Sequence, residues 1–331
     1  MALIKFTNKG IYCSQGDFYI DPWKPVNLAV TTHGHADHVK WGNKSYLCHE
    51  LTKPILNQRL GDLNIETLPY NKEININGVK LSLFPAGHVI GSAQIRLAYK
   101  GEICVVSGDY KTEYDGISTV FEPVKCHTFV TESTFGLPIY KWQPQIKIFN
   151  EIKNWASDNI IKNKTTVLVA YSLGKAQRLI KNLHGEVPIY VHQSIANLND
   201  AFIKAGVDLP KTIRINAETK KEQLQQGIVI VPPALSEGRW IKNLVNAATG
   251  VCSGWMQVRA SRRWRSADAG FALSDHADWP GLLSAIKATE AEKVFVTHGS
   301  TATFAKYLNE IGIEAEEVQT QYGKEEEEEE A

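Results

Sequence analysis

One short motif near the N-terminus is the most informative feature of this chain. The sequence His33-Gly34-His35-Ala36-Asp37-His38 directly follows the apolar run Leu28-Ala29-Val30. Imidazole nitrogen and carboxylate oxygen are ligands that zinc and similar divalent ions accept. In an extended loop, His33 and His35 would share one metal, whereas Asp37 and His38 would point away and serve a second. The alternative is a polar loop that is rich in histidine by chance, and the dense spacing of ligand residues disfavours it.

The composition is typical of a globular protein with ample core. The chain has 331 residues, of which 43% are hydrophobic and 22% charged, enough for one large domain or two medium ones. No apolar run has the length of a membrane-spanning helix and no signal-peptide pattern is visible, so we expect a cytoplasmic protein without a membrane partner. The five scattered cysteines form no C-x-x-C pair, which favours reduced thiols.

The net charge of zero hides an acidic C-terminus. Residues 325–330 are six consecutive glutamates. Without them, 36 basic residues face 30 acidic ones, and the rest of the chain carries a charge of +6. Like charges repel one another, so residues 324–331 are predicted to form a disordered tail, to which we assign no function.

Short β-rich runs alternate with amphipathic helical stretches, which predicts an α/β fold. Strands are predicted at 81–84, 94–98, 103–106 and 128–131, and in the middle of the chain at 167–170, 189–191 and 228–231. Helices are predicted at 146–157 and 173–183. This interleaving in the middle of the chain indicates a smaller parallel-sheet domain inserted into the first fold. From residue 271 onward, the pattern of strands followed by polar loops seen in the first third returns.

Six polar residues share one context, the C-terminal end of an apolar, strand-like run. They are His33, His88, Asp109, Glu132, His276 and His298. The ends of strands are where α/β folds place their functional sites, because the sheet fixes the positions and the loops remain open to solvent. A lone histidine in this context would be interpreted as structural, but the group of six predicts a shared site.

These motifs resemble the metallo-β-lactamase fold. The resemblance rests on H-x-H-x-D-H, Gly87-His88, Ser107-Gly108-Asp109 and Thr297-His298-Gly299. Within that fold, the sequence TESTFG at 131–136 is similar to motif A of the beta-CASP nucleases, SDHAD at 274–278 to motif B and THG at 297–299 to motif C. The segments 85–94, 170–178, 253–256 and 274–279 are similar to the bacterial ligase-associated DNA exonuclease group.

The resemblance implies a domain organisation. An αββα sandwich of the metallo-β-lactamase type would comprise residues 1–140 and 268–323. An α/β beta-CASP cap would be inserted at 141–267, since the residues between 135 and 271 match such a cap in place and size.

The resemblance also implies two divalent metal ions, zinc or manganese or both. His33, His35 and His88 would hold the first ion, Asp37, His38 and His298 the second, and Asp109 would bridge them. The candidate catalytic residues would be Asp37, Glu132 and His276, with His276 as the general acid and Glu132 as its hydrogen-bond partner. Asp21 would support the histidine loop, although an ordinary turn aspartate before proline is the alternative.

Substrate contacts are predicted in two places. Between residues 239 and 267 there are six basic residues and no acidic one, and Arg259, Arg262, Arg263 and Trp264 are the candidates for phosphate and base contact. A solvated basic face is the alternative. Ser172 is the predicted N-cap of a helix that includes Lys175, and both could bind phosphate there, although capping alone would also explain Ser172.

The favoured function is a two-metal DNA exonuclease that acts on single-stranded or frayed DNA in repair, in functional association with a DNA ligase and a helicase. An RNA nuclease of the beta-CASP class is the first alternative, because histidine at motif C, here His298, is usual in members that act on RNA. A hydrolase of small thioesters or lactones and a non-catalytic scaffold that binds nucleic acid are the others.

Overall fold

The computed structural model describes residues 3–185, 187–236, 238–258, 267–318 and 320. These residues form two compact units. Unit 1 comprises the described residues of 3–114, 118–141 and the part from 276 onward, and unit 2 those of 115–117 and 142–275. The predicted tail and the candidates Arg259, Arg262, Arg263 and Trp264 lie outside the described residues.

Unit 1 contains two sheets. The first has six strands in chain order, β1 (Ile4–Thr7), β2 (Gly10–Cys13), β3 (Phe18–Ile20), β4 (Leu28–Val30), β5 (Ser45–Cys48) and β6 (Ile65–Thr67), and helix α1 (Lys53–Leu60) follows β5. The second has seven strands, β7 (Glu73–Ile76), β8 (Val79–Pro85), β9 (Ala93–Tyr99), β10 (Glu102–Val106), β11 (Thr128–Glu132), β18 (Lys293–Thr297) and β19 (Glu314–Glu317), in the spatial order β19-β18-β11-β10-β9-β8-β7. Helices α7 (Trp279–Thr289) and α8 (Thr301–Glu310) complete the unit.

The buried apolar clusters of unit 1 show the order in which its sheets and helices are layered. Phe18 and Val30 of the first sheet share one buried cluster with Leu81 and Ile95 of the second, so the two sheets pack face to face. Helix α1 packs on the outer face of the first sheet, and helices α7 and α8 pack on the outer face of the second. This helix–sheet–sheet–helix order is consistent with a metallo-β-lactamase-like fold.

Unit 2 is built on one parallel sheet. Its strands are β12 (Thr165–Val169), β13 (Ile189–Val191), β14 (Ile213–Arg214), β15 (Ile228–Val231), β16 (Ala247–Cys252) and β17 (Ala269–Phe271). The helices are α2 (Gln145–Ile161), α3 (Lys175–Leu183), α4 (Gln193–Lys204), α5 (Lys221–Leu224) and α6 (Arg239–Lys242). All described pairings are parallel, and apolar clusters cover both faces. Continuous apolar runs such as Ile228–Val231 are the expected sequence of such doubly covered strands.

The sequence-based boundaries differ from the structure at two places in unit 2. We expected the first domain to resume at 268, but β17 pairs in parallel with β16, and unit 1 resumes at 276. The prediction of Ser172 as an N-cap is wrong. Helix α3 is capped at Gly174, whose φ of 87° suits glycine, while Ser172 Oγ lies 3.0 Å from Ser194 Oγ.

Strand direction places the candidate site in unit 1. Strands β10, β11 and β18 are parallel neighbours, and β8 runs in the same direction because β9 is antiparallel to both β8 and β10. The carboxyl ends of these four strands therefore meet at one edge of the sheet. His88, Asp109, Glu132 and His298 stand at that edge. Across the sandwich, Ala93 N donates to Thr32 O at 2.8 Å, which holds the histidine loop beside the same edge.

Candidate metal centre

Four ligand atoms converge at a first position. His35 Nδ1 lies 3.1 Å from His33 Nε2 and 3.0 Å from His88 Nε2. Asp109 Oδ2 lies 3.4 Å from His33 Nε2 and 3.7 Å from His88 Nε2. The histidine loop is a turn rather than the expected extended segment, because Val39 N donates to His35 O at 3.2 Å. His33 and His35 nevertheless present their nitrogens to the same point.

A second group of ligand atoms shares Asp109 with the first. His38 Nε2 lies 3.3 Å from Asp37 Oδ2 and 3.4 Å from Asp109 Oδ2. The ring of His298 stacks on that of His38 at 5.0 Å between centroids, and ligand atoms of His38, Asp109 and His298 all lie within 4.8 Å of one another. The carboxylate of Asp109 is thus common to both groups.

The chemistry of these atoms fits divalent cations. Asp37 Oδ2 and both carboxylate oxygens of Asp109 are buried and have no hydrogen-bond partner among the described residues. A buried charged oxygen without a partner costs several kcal/mol unless a counter-charge compensates. Ligand atoms that share one zinc-sized ion lie about 3.0–3.4 Å apart, and the observed separations of 3.0–3.7 Å bracket that range. The residues present therefore fit two cations with Asp109 between them.

A layer of hydrogen bonds on the far side orients the histidine rings. Thr32 Oγ1 donates to Asp21 Oδ2 at 2.5 Å, so its lone pair faces His33 Nδ1 at 3.1 Å. Thr297 Oγ1 donates to Thr131 O at 3.0 Å and faces His298 Nδ1 at 3.2 Å. Each threonine thus accepts from Nδ1–H and leaves Nε2 as the lone-pair atom. Outer contacts of this kind fix the tautomer that a metal ligand requires.

Asp21 is buried and belongs to this layer. Its carboxylate accepts from Thr32 N at 2.9 Å and lies 2.8 Å from His38 Nδ1. The backbone of Asp21 has φ of 41°, an uncommon value for a residue other than glycine, which the surrounding contacts hold in place. The structure therefore puts Asp21 behind the histidine loop.

Burial and neighbouring charges shift the pKa values of the candidate histidine ligands. Burial lowers the pKa of His33 well below its ordinary value and also lowers the pKa of His298, which favours the neutral form of both rings. Burial also opposes charge on His38, but the carboxylates of Asp37 and Asp109 outweigh it and raise its pKa well above the ordinary value.

A histidine–carboxylate pair lies beside the first group. His276 Nδ1 lies 2.9 Å from Glu132 Oε2, and the ring of His276 lies 4.6 Å from that of His88 between centroids. Glu132 is buried, and its Oε1 accepts from Tyr110 N at 2.7 Å. The side chain of His276 is 14% exposed. Glu132 therefore accepts from Nδ1–H and directs Nε2 of His276 away from itself.

Glycine allows the close approach of two of these loops. Gly108 has φ of 57°, and a Cβ at that position would lie 2.6 Å from Thr32 Cβ. Gly299 has φ of 70°, and its Cβ would lie 2.4 Å from Ser133 O. No other residue fits these conditions, which explains the glycines of Ser107-Gly108-Asp109 and Thr297-His298-Gly299.

The two substrate candidates of unit 2 that the structure describes, Ser172 and Lys175, make contacts inside that unit. Lys175 is buried, and its Nζ lies 3.7 Å from Asp275 Oδ2 and 4.7 Å from the centroid of the Tyr171 ring. Ser172 O accepts from Gln177 Nε2 at 3.0 Å. Both residues thus contribute to the internal structure of unit 2, and their contact with a substrate stays a prediction.

Sequence reasoning missed two residues of the site, Thr32 and Thr297. Each directly precedes a candidate ligand, at the end of a strand. A hydroxyl residue immediately before a ligand histidine was the available signal. It is weak without the fold, because only the packed strands show where the hydroxyl points.

The chain has relatives among known proteins but matches no protein-family profile. It is 30% identical over 318 residues to a probable DNA ligase of Opitutus terrae, a match that covers 94% of this chain and 30% of that protein. It is 27% identical over 146 residues to the endoribonuclease YSH1 of Saccharomyces cerevisiae, covering 40% of this chain and 18% of that protein.

A third relative is subunit 3 of the cleavage and polyadenylation specificity factor of Dictyostelium discoideum, 24% identical over 219 residues, which covers 52% of this chain and 28% of that protein. The chain thus spans less than a third of the length of these relatives. A crystal structure of a protein of unknown function from Enterococcus faecalis has a TM-score of 0.59 at 11% identity and covers 89% of this chain and 80% of that one, which shows a shared fold. No helix in the described ranges is long and apolar enough to span a membrane.

Proposed function

We propose that the chain is a two-metal phosphodiesterase that cleaves nucleic acid strands. The observation that carries this proposal is the carboxylate of Asp109, which two groups of candidate ligand atoms share. His276 and Glu132 lie beside the first group. Sites with two divalent ions are used for phosphodiester cleavage because they stabilise both the attacking and the leaving oxygen. Unit 2 is proposed to be the beta-CASP cap.

The metal ions would be held by this chain's own side chains. His33, His35 and His88 would hold the first, Asp37, His38 and His298 the second, and Asp109 both; the donor set of nitrogen and oxygen suits zinc or manganese. When bound, the two ions would lower the pKa of a shared water and polarise the phosphate.

His276 is proposed to supply a proton to the leaving oxygen. Its Nδ1 is 2.9 Å from Glu132 Oε2, a contact that stabilises the doubly protonated ring, and Nε2 is then the atom that donates. The backbone amide of Tyr110 holds Glu132 in place, so the orientation of the acid does not depend on the substrate. General acids of this kind typically contribute 10²–10⁴-fold to a rate.

DNA is the proposed substrate, as single strands or frayed ends, and removal from an end is the proposed mode. The support is the relative named a probable DNA ligase, which matches 94% of this chain but only 30% of its own length. A sequence like this one is therefore part of a polypeptide with that name. The proposed setting is DNA repair in the cytoplasm, with a DNA ligase and a helicase as functional partners.

RNA is the second candidate substrate. Relatives named endoribonuclease match 40% of this chain, and His298 stands where RNA-acting members of the beta-CASP class usually have histidine.

A cleavage assay tests both candidates. Purified protein is incubated with 5′-labelled and 3′-labelled single-stranded DNA, and with the matching RNA, in the presence of manganese, zinc or a chelator. Release of mononucleotides from DNA that depends on metal supports the proposal, and the label that is lost first gives the polarity. Cleavage of RNA alone would favour the second candidate. Absence of cleavage of both DNA and RNA by protein that holds both metals would refute the proposed nuclease function.

A further inference from the structure

The loop between β8 and β9 carries the candidate ligand His88 and is closed by one serine. Ser92 is buried, and its Oγ accepts from His88 N at 3.1 Å and from Val89 N at 3.2 Å. The backbone closes the same turn, because Ser92 N donates to Val89 O at 3.0 Å and Ala86 N donates to Ser92 O at 3.1 Å. Residues 86–92 therefore form a compact turn whose hydrogen bonds meet at Ser92.

Two hydroxyl groups from outside the turn hold its far end. The hydroxyl of Tyr70 donates to Ser92 O at 2.8 Å, and Thr52 Oγ1 donates to Gly91 O at 2.8 Å. Thr52 is itself buried and lies in a turn that directly follows β5, because its backbone N donates to His49 O at 2.9 Å. The first sheet thus contributes one anchor of the turn.

The ring of Tyr70 is fixed on both sides of its hydroxyl contact. Tyr70 forms a bridge with Leu83 of β8, and the backbone N of Asn71 donates to Leu83 O at 2.8 Å. The ring of His49 stacks on that of Tyr70 at 3.7 Å between centroids, with an angle of 17° between the planes. The position of the Tyr70 hydroxyl is therefore set by the packing of unit 1.

This clamp acts on the backbone of a candidate ligand. Thr32 and Thr297 face the rings of the histidines that follow them, whereas Ser92 accepts from the backbone N of His88. The buried side chain of His88 then brings Nε2 to 3.0 Å from His35 Nδ1. A group that already stands in its binding position loses little conformational entropy when its partner binds.

We propose that Ser92 is a positioning residue for the first ligand group, and that Tyr70 anchors it. Together they hold His88 in its ligand position before an ion binds. The inference rests on the proposed two-metal centre and deepens it. It concerns the first ion only, because His88 is a proposed ligand of that ion and not of the second.

The test measures the binding of manganese to metal-free protein by calorimetry, without nucleic acid. Ser92→Ala leaves the buried amides of His88 and Val89 without their acceptor. The affinity for one of the two ions should therefore fall about 10-fold to 100-fold, the usual effect of losing a contact behind a metal ligand. The affinity for the other ion should be unchanged.

Tyr70→Phe is the conservative variant. It keeps the ring that stacks on His49 and removes only the hydroxyl that donates to Ser92 O. The same ion should bind about 2-fold to 10-fold more weakly, as expected for the loss of one neutral hydrogen bond. This variant decides the question if Ser92→Ala does not fold.

Ser82→Ala is the matched control. Ser82 is a buried serine inside β8, where it pairs with Arg96 of β9, so the change removes a buried hydroxyl from the same sheet outside the turn. Both ion affinities should equal those of the wild type. Urea unfolding of the metal-free proteins reports the stability of each variant separately.

Three results would overturn the inference. The first is unchanged binding of both ions in Ser92→Ala and Tyr70→Phe. The second is equal weakening of both ions, because His88 belongs to one ligand group. The third is a lower free energy of unfolding of the metal-free variants with unchanged ion affinities, which would show that Ser92 serves the fold alone.

The cleavage assay keeps this inference distinct from the proposed function. A wild type that binds two ions, one of them dependent on Ser92, but cleaves neither DNA nor RNA would refute the nuclease alone. A wild type that cleaves DNA, with both ions bound equally well by Ser92→Ala, would refute the positioning role alone.

Discussion

Replacing Glu132 with glutamine tests the proposed proton donor while keeping the shape of the side chain. The carboxylate accepts from Tyr110 N at 2.7 Å through Oε1 and from His276 Nδ1 at 2.9 Å through Oε2. The amide of glutamine has one acceptor and one donor end. If its oxygen keeps the backbone contact with Tyr110, its NH₂ group faces Nδ1 of His276 and opposes the doubly protonated ring.

The magnitude follows from that lost contact. A hydrogen bond to a charged group is worth about 1.5–3 kcal/mol, so loss of this contact should weaken proton donation by His276 about 10-fold to 100-fold. The cleavage rate should fall by the same factor. Complete removal of the acid in His276→Ala should cost about 10²–10⁴-fold. Metal content should be unchanged in both variants, because neither residue is a proposed ligand.

The assay compares two leaving groups. Cleavage of labelled DNA needs a proton on the leaving alkoxide, whereas a p-nitrophenyl ester of thymidine 5′-phosphate has a leaving group that needs none. The loss in Glu132→Gln should be large on DNA and close to zero on the ester. An equal loss on both substrates would refute the proton-donor role, and loss of bound metal would show instead that the pair supports the metal centre.

Three further changes test other parts of the structure. Asp109→Ala should lose bound metal and activity together, since its carboxylate contacts both ligand groups, and normal metal content measured by mass spectrometry would contradict the shared ligand. Asp21→Ala removes the partner of His38 Nδ1 and should weaken metal affinity about 10-fold to 100-fold, measured by calorimetry; unchanged affinity would show that Asp21 serves only the turn. His49 stacks on Tyr70 at 3.7 Å between ring centroids, and burial lowers its pKa from 6.5 to about 4. Because the unfolded chain binds this proton more readily, the stability that His49 contributes is complete above about pH 6.5 and falls by about 2–3 kcal/mol at pH 4.5. Urea unfolding at pH 7 and 4.5 should show that His49→Phe loses this part of the pH dependence. An equal change in the free energy of unfolding between the two pH values in wild type and variant would contradict this role of His49.

The sequence indicated the candidate site because each of its main residues stands in a short recognisable pattern, directly after an apolar run. His88, Asp109 and His298 follow strands of one sheet that run in the same direction, so their carboxyl ends meet at one edge. His33 follows β4 of the facing sheet. The strand at Ile189–Val191 was predicted at its observed bounds, since a buried parallel strand leaves a continuous apolar run.

Other features depend on contacts that no local pattern encodes. Lys175 looked like a phosphate contact on a helix end, but it is buried against Asp275. Thr32 and Thr297 acquire their roles only because packing turns their hydroxyls toward Nδ1 atoms. The strand Ala269–Phe271 belongs to unit 2 through its pairing with β16, and its three residues alone are compatible with either sheet.

The most direct test of the central claim is a titration of metal-free protein with manganese while the cleavage of labelled single-stranded DNA is followed. Two ligand groups that share Asp109 predict that the rate reaches its plateau at two manganese ions per chain, and that Asp109→Ala shows no rise. A plateau at one ion, or two bound ions without cleavage, would contradict the two-metal phosphodiesterase.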